Sequence, residues 1–187
     1  EPGTRHAYAN PGYTVAAAAI ENVTGERFED YIGREIMRPL GIEGSTFRWE
    51  PWVEGRLARG YVGPDEPTPY LAILHRPAGS LMMSPRQLAK LVHFWLQRGQ
   101  TAPGVASEAT LRRMERSGTV AGADTDVEYG LGIYGDVSHG VVSRGHDGGV
   151  PGFISAFRYV PELGVGYVVL VNGTHPGAIR AYLRLRN

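Results

Sequence analysis

The sequence predicts an α+β fold, and three observations carry that expectation. Apolar residues recur at helical spacing as far as Arg116, the period changes to two from Glu128, and a last helical stripe follows the strands. At 187 residues the chain suits one domain with enough length to bury a core of its own. The reading divides it into a mainly helical part over residues 1–127, with a long loop at 44–80, and a part over 128–187 of antiparallel strands and a closing helix.

The first helix is expected over Val15 to Val23, after a loop broken by Pro11 and Gly12; its alanines give a thin surface for close packing, and Thr24-Gly25 stops it. A second helix runs from Glu26 to Met37 with Phe28, Tyr31, Ile32 and Ile36 on one stripe, and Pro39 ends it. Residues 44–80 hold Trp49, Trp52, Tyr61 and Tyr70 among Gly and Pro with no sustained period, which reads as an irregular excursion. Its aromatics either line a cleft or tack the excursion onto the body as a satellite cluster. Ser84-Pro85-Arg86-Gln87 is a capping box with Pro at the first helical position, and Leu88, Leu91, Val92, Trp95 and Leu96 continue the helix until Gly99. A further helix spans Ser107 to Arg116, with Leu111 and Met114 inward.

From Glu128 the chain alternates. Tyr129, Leu131 and Ile133 interleave with glycines, Phe153 to Val160 form one strand, and Val165 to Val171 form an apolar one. Short links such as Pro161-Glu162-Leu163-Gly164 imply an antiparallel meander. Thr174 and Pro176 then open a helix with Ile179, Tyr182 and Leu183 on one stripe, suited to cover one face of the sheet.

Composition removes several classes of function. Nineteen basic residues balance nineteen acidic ones, which leaves no field for nucleic acid or an anionic membrane. With no Cys there is neither a disulfide framework nor a thiolate metal site, and no apolar run approaches the roughly 18 residues of a membrane span. Periplasmic or secreted and cytoplasmic settings are equally compatible with the sequence. No Ser has Gly two before and two after it, no His-Glu-x-x-His is present, and no Gly-x-Gly-x-x-Gly joins a strand to a helix. No cofactor is implied.

The stretch with chemistry is Gly145-His146-Asp147-Gly148-Gly149-Val150-Pro151-Gly152, between Val141-Val142-Ser143 and Phe153-Ile154-Ser155-Ala156-Phe157. Four glycines in eight residues allow close backbone approach and positive φ, so the segment reads as a strand end opening into a turn with an imidazole at its head. From these residues alone, a site that aims N–H groups at an anion and a glycine-rich hairpin with an incidental histidine both stand. A second stretch, Tyr8-Ala9-Asn10-Pro11-Gly12-Tyr13, leads into the alanine helix. Pro39-Leu40-Gly41-Ile42, Pro77-Ala78-Gly79-Ser80-Leu81-Met82-Met83-Ser84 and Tyr129-Gly130-Leu131-Gly132-Ile133 complete an ordered set.

That set resembles the serine β-lactamase and penicillin-binding-protein-like superfamily, above all its class C β-lactamase-like branch of esterases, D-aminopeptidases and carboxypeptidases. The likeness runs from about Tyr8 to the C-terminus. It implies a β-lactamase/transpeptidase-like fold, an antiparallel sheet flanked by helices plus a helical part, here incomplete at the N-terminus. It also implies a serine acyl hydrolase working through an acyl-enzyme on a small ester, amide or peptide.

By resemblance, Tyr8 matches the tyrosine that activates the serine and moves its proton. Asn10 matches the amide that positions substrate, and His146 stands where other branches have the Lys of Lys-Thr-Gly. Gly148 completes that motif, and the Gly149 N–H matches one oxyanion donor. Asp147 occupies the Thr position, a departure that favours ester or peptide substrates over β-lactams. His6, His75, His93, His139 and His175 read as surface or loop residues.

The family's nucleophile is the Ser of Ser-x-x-Lys, which these 187 residues lack: the only lysine is Lys90, three after Gln87, on the solvated side of its helix. The expectation is therefore a C-terminal portion of a longer enzyme, inactive alone, accompanied by its missing N-terminal segment or self-associating. The alternative is a non-catalytic binding domain on the same scaffold. A phenol titrates near pH 10, so its phenolate costs about 4 kcal/mol at pH 7, at about 1.36 per unit. A nearby cation must offset that cost, the family's Lys chiefly and His146 as a weaker helper.

Overall fold

The computed structural model describes residues 7–116, 128–138 and 140–186; His6 and His139 lie outside them. Helix α1 spans Asn10–Thr24 and so starts earlier than the sequence reading, because Pro11 costs nothing in a first turn whose N–H groups have no helical partner. Gly25, at φ 70°, closes it. Only Ala17 of α1 is buried, so its alanine surface is largely exposed instead of packed against a neighbour. The second predicted helix is α2, Phe28–Ile32, running into a π-helical turn at Gly33–Met37.

The 44–80 excursion is more ordered than its composition implies. It holds a 3₁₀ turn at Pro51–Val53, a hairpin of β1 (Gly60–Gly63) with β2 (Glu66–Thr68), and the short helix α3 (Arg76–Gly79). Thr46 bridges to Met82, which closes its base. Trp49 and Tyr70 pack on one another with centroids 4.9 Å apart. His75 is more than a surface histidine, since its Nδ1 lies 3.1 Å from the Thr14 hydroxyl and ties α3 to α1.

Helix α4, Pro85–Leu96, carries the full capping box: Ser84 Oγ accepts from the Gln87 N–H and Gln87 Oε1 accepts from the Ser84 N–H. Lys90 is exposed and donates to the Gly41 carbonyl. Arg98, at φ 51°, and Gly99, at φ 85°, turn the chain toward α5, Glu108–Glu115, which Ser107 caps. Among the described residues no helix is long and apolar enough to cross a membrane.

Among the described residues five strands follow in chain order as an antiparallel meander: β3 (Glu128–Tyr129), β4 (Tyr134–Ser138), β5 (Val141–Val150), β6 (Phe153–Val160) and β7 (Val165–Val171). The expected alternation at Tyr129 to Ile133 is not one strand. It is a two-residue strand and a turn, with Gly132 at φ 78°, and it leads into β4, which periodicity alone did not reveal. Helix α6, Pro176–Arg186, closes the chain.

Alternation along β6 sends neighbouring side chains to opposite faces. Tyr159 stacks on Trp95 of α4 at 5.6 Å and joins Val92, Phe94, Ala102, Leu111 and Ile133 in the main core. Arg158 points the other way, toward the face where α6 brings Tyr182. A second cluster of Met37, Ile42 and Phe47 fastens the excursion to α2 and α4, with Phe28 and Leu91 packed against it.

One buried charge joins the helical part to the sheet. Glu115, 6% exposed, accepts from Arg98 Nη1 at 2.7 Å and from the Tyr159 hydroxyl at 2.8 Å, while Arg144 Nη1 donates to its main-chain carbonyl. Burial pushes the Tyr159 phenol up from its ordinary value, and the neighbouring Glu115 charge adds to the shift. Removing this carboxylate leaves a guanidinium and a hydroxyl without their acceptor. Glu115→Ala is expected to lower stability by about 3 kcal/mol, read as a lower denaturant midpoint with an unchanged slope.

Candidate active site

The glycine-rich stretch does not open into a turn at His146. It continues as the second half of β5, paired with β6 from Arg144↔Tyr159 to Val150↔Phe153, and the turn falls at Pro151 and Gly152. Gly152 sits at φ 84°, and a side chain there would meet Thr68 Cγ2 at 2.4 Å and the Gly60 backbone at 3.0 Å. Gly145 is required for another reason: a Cβ would lie 1.9 Å from the Phe157 carbonyl oxygen. These glycines permit close strand packing, whereas Gly149 has open space around it.

His146 and Asp147 are neighbours on a strand and therefore face opposite sides. On the Asp147 side, its carboxylate accepts from Arg158 Nη2 at 2.9 Å, from the Tyr182 hydroxyl at 3.1 Å and from the Tyr134 hydroxyl. The Arg158 side chain is 3% exposed. Its guanidinium lies 4.6 Å from the Tyr134 ring centroid and also donates to the Phe157 carbonyl. The charge of Asp147 is thus engaged within the sheet and its covering helix.

Three tyrosines surround the imidazole, and Tyr134 reaches both residues, its hydroxyl donating to Asp147 while its ring lies beside His146. The ring centroids of Tyr8, Tyr129 and Tyr134 lie 6.3, 6.0 and 5.5 Å from that of His146. Tyr8 also meets Tyr129 edge-on at 6.1 Å and is itself 57% exposed. The Tyr129 hydroxyl lies 2.7 Å from His146 Nε2, and His146 Nδ1 is 2.5 Å from the Asp147 carbonyl oxygen. Burial raises the Tyr13 phenol, with Tyr8 adding to it; burial likewise raises that of Tyr129, with Tyr13 and Tyr8 contributing.

Of the residues singled out in the sequence, the structure brings Tyr8 and His146 together from opposite ends of the chain. Asn10 opens α1 and is exposed; among the described residues it makes no hydrogen bond or ring contact with His146. Gly148 and Gly149 follow His146 along β5 toward the hairpin tip and are exposed. His93 is exposed, and His175 accepts from the Ala178 N–H at the start of α6.

Sequence reasoning missed the roles of Tyr129, Tyr134, Arg158 and Tyr182. Tyr129 stood in a recognised landmark without a function, and Arg158 was a charge amid the apolar Phe157 and Tyr159, a pattern that asks for a buried partner. A hollow of about 730 Å³, lined by Glu29, Arg34, Met37, Arg48 and Trp52 among others, lies beside α2, away from His146. Among the described residues no group of three His, Asp or Glu side chains is placed to hold a metal ion.

An antiparallel sheet between helices, with an imidazole on an inner strand facing a tyrosine that precedes the first helix, is the β-lactamase/transpeptidase-like arrangement. The chain matches the Beta-lactamase family over residues 1–186 and belongs to it; this is a family of serine hydrolases. It is 28% identical over 186 residues to penicillin-binding protein 4 of Amycolatopsis lactamdurans, covering 92% of this chain and 48% of that protein. It is 30% identical over 189 residues to the unguisins hydrolase ungD' of Aspergillus campestris, covering 93% and 34%. The octameric penicillin-binding protein homologue from Pyrococcus abyssi superposes with a TM-score of 0.81 at 29% identity, over 99% of this chain and 43% of that one. The chain thus spans between a third and a half of the length of these relatives.

The two glycines of β5 differ in what they tolerate. Gly145→Ala must push two paired strands apart and is expected to cost about 2 kcal/mol or more, while Gly149→Ala stays within about 0.5 kcal/mol of the wild type. Thermal unfolding of the two variants side by side checks this contrast.

Proposed function

We propose that this chain is the C-terminal portion of a serine acyl hydrolase, an esterase or peptidase of the β-lactamase-like family, in which Tyr8 and His146 are catalytic. The observation that carries the reading is the meeting of Tyr8 with His146, since neither packing nor sequence proximity requires a half-exposed phenol to stand beside that imidazole. The nucleophile is the serine of a Ser-x-x-Lys outside these 187 residues. Its hydroxyl oxygen attacks the substrate carbonyl while its proton passes through the lysine and Tyr8 to the leaving group. Water then attacks the acyl-enzyme and restores the serine. Asn10 orients the substrate, Gly148 keeps the strand slender beside it, and the Gly149 N–H is one of two donors to the oxyanion. The substrate class is a small ester, amide or peptide.

In the whole protein, Tyr8→Phe is expected to lower the acylation rate by about 10²- to 10⁴-fold, the usual contribution of a general acid–base group. The 187-residue chain by itself is expected to leave a p-nitrophenyl ester intact. Ester turnover by the pure chain, abolished by Tyr8→Phe, would falsify the assignment of the nucleophile to another segment. Whole protein with no acyl-enzyme on any ester, amide or peptide tested would instead favour a binding domain on the same scaffold.

We further propose that the chain does not persist as a solitary monomer. β7 pairs with β6 along one edge, and among the described residues no strand pairs with the other. Its sequence, Val165-Gly166-Tyr167-Val168-Val169-Leu170-Val171, has none of the charges or prolines that usually blunt an edge. The expected occupant is a strand from the rest of the protein, or the same edge of a second copy. Light scattering on the purified chain should give a mass above 20.3 kDa; a stable monomer that unfolds cooperatively would refute the proposal.

A further inference from the structure

The Tyr-Gly-Leu-Gly landmark at 129–132 has so far no place in the chemistry, and its geometry supplies one. Gly130 is wedged against the end of α5, where a Cβ would meet the Met114 carbonyl at 2.0 Å, and the Leu131 N–H donates to that same carbonyl at 2.8 Å. The Gly130 N–H donates to the Ile133 carbonyl at 2.8 Å. At Gly132, with φ 78°, an added Cβ would stand 2.9 Å from the Tyr13 hydroxyl. Two glycines thus fold the turn tightly onto a helix end and onto α1. The β3–β4 register then sets Tyr129 opposite Tyr134, which itself pairs with Gly145, next to His146.

The imidazole contacts can be assigned by chemistry. A carbonyl oxygen only accepts, so Nδ1, 2.5 Å from the Asp147 carbonyl, carries its hydrogen. In the neutral ring Nε2 then holds the lone pair, and the group 2.7 Å from it is the Tyr129 hydroxyl. We propose that Tyr129 is a positioning residue for His146: its hydroxyl donates to Nε2 of the neutral ring, selects its Nδ1–H tautomer and fixes the ring beside Tyr8. Tyr129 is suited to donate, since burial and the neighbouring phenols of Tyr13 and Tyr8 make it hold its own proton more firmly. Among the described residues, the groups facing the ring from other elements are the phenols of Tyr8, Tyr129 and Tyr134. The nearby charges are occupied elsewhere, Asp147 on Arg158 and Arg144 on Glu115.

This inference rests on the acyl-hydrolase reading and sharpens it. His146 meets Tyr8 with its tautomer and orientation set by Tyr129.

The test uses the whole protein, labelled with ¹⁵N on histidine. At a pH where His146 is neutral, its proton is expected on Nδ1, with the Nε2 signal shifted as for a lone pair that accepts a hydrogen bond. Tyr129→Phe keeps the ring and removes only the hydroxyl; the Nε2 signal should move toward that of a free lone pair. In the same variant kcat should fall about tenfold with KM nearly unchanged, the value of one hydrogen bond that orients a group in the transition state. A wild-type His146 protonated on Nε2 overturns the proposal whether or not any variant folds. So does an Nε2 signal that Tyr129→Phe leaves in place, or a variant that raises KM at constant kcat. The spectroscopic result does not depend on turnover: if it appears in a protein that hydrolyses nothing, the tyrosine–histidine assignment stands and the acyl-hydrolase reading falls.

Discussion

A buried guanidinium anchors the strand that carries the histidine. Arg158 sits in the middle of β6 at 2% exposure, and a charge so placed demands a partner that is both opposite in sign and held in place. Asp147 on the next strand meets the demand, with Tyr134 and Tyr182 donating to the same carboxylate. Anchoring Asp147 fixes the stretch of strand that carries His146, and Tyr134 touches both, its hydroxyl on Asp147 and its ring beside the imidazole. Gly145 belongs to the same constraint, since a Cβ there would fall 3.0 Å from Arg158 Cδ as well as on the Phe157 carbonyl. An acid between His146 and Gly148 is therefore a matter of anchoring the strand.

The same economy links the two halves of the molecule. Glu115 at the end of α5 receives Arg98 from the end of α4 and Tyr159 from β6, so one carboxylate fixes helix ends to the sheet. The turn at Gly130 to Ile133 returns to α5, where the Leu131 N–H donates to the Met114 carbonyl. Through this path the helix whose burial is most regular, α4, and the strand that bears the imidazole are held in one frame.

Much of this was legible in the residues. The capping box of α4, the apolar stripe behind it, β6, β7 and the closing helix follow from local pattern, because each buries one face and its period reports that face. The two landmark motifs identified Tyr8 and His146, and the structure brings them together. What was not legible depended on partners distant in sequence. Glycines that signal a turn in isolation here signal strands packed too closely for a Cβ, as at Gly145, so the turn was placed at His146 and lies at Pro151 and Gly152. The strand at Tyr134–Ser138 is short and polar, with no apolar period to betray it. The excursion looked structureless because its order comes from docking on other elements: Asn172 Nδ2 donates to the Arg59 carbonyl and the Thr174 N–H to that of Tyr61. Tyr129 could be recognised as part of a landmark, but its hydroxyl acquires meaning only once β3 is registered against β4.

The contact between the excursion and the β5–β6 hairpin has a bearing on how such chains can be recombined. Gly60 receives the edge of the Phe153 ring so closely that a Cβ would stand 2.6 Å from it, and Gly152 lies against Thr68 and Gly60 in turn. The segment from 44 to 80 is thus not a cassette that can be swapped for a relative's loop on the strength of matching ends. A graft has to bring a residue without a side chain to position 60 and a small one opposite Gly152, or else carry the hairpin tip along with it. Chimaeras that divide the chain between the first hairpin and the last sheet would separate two surfaces that were shaped against each other.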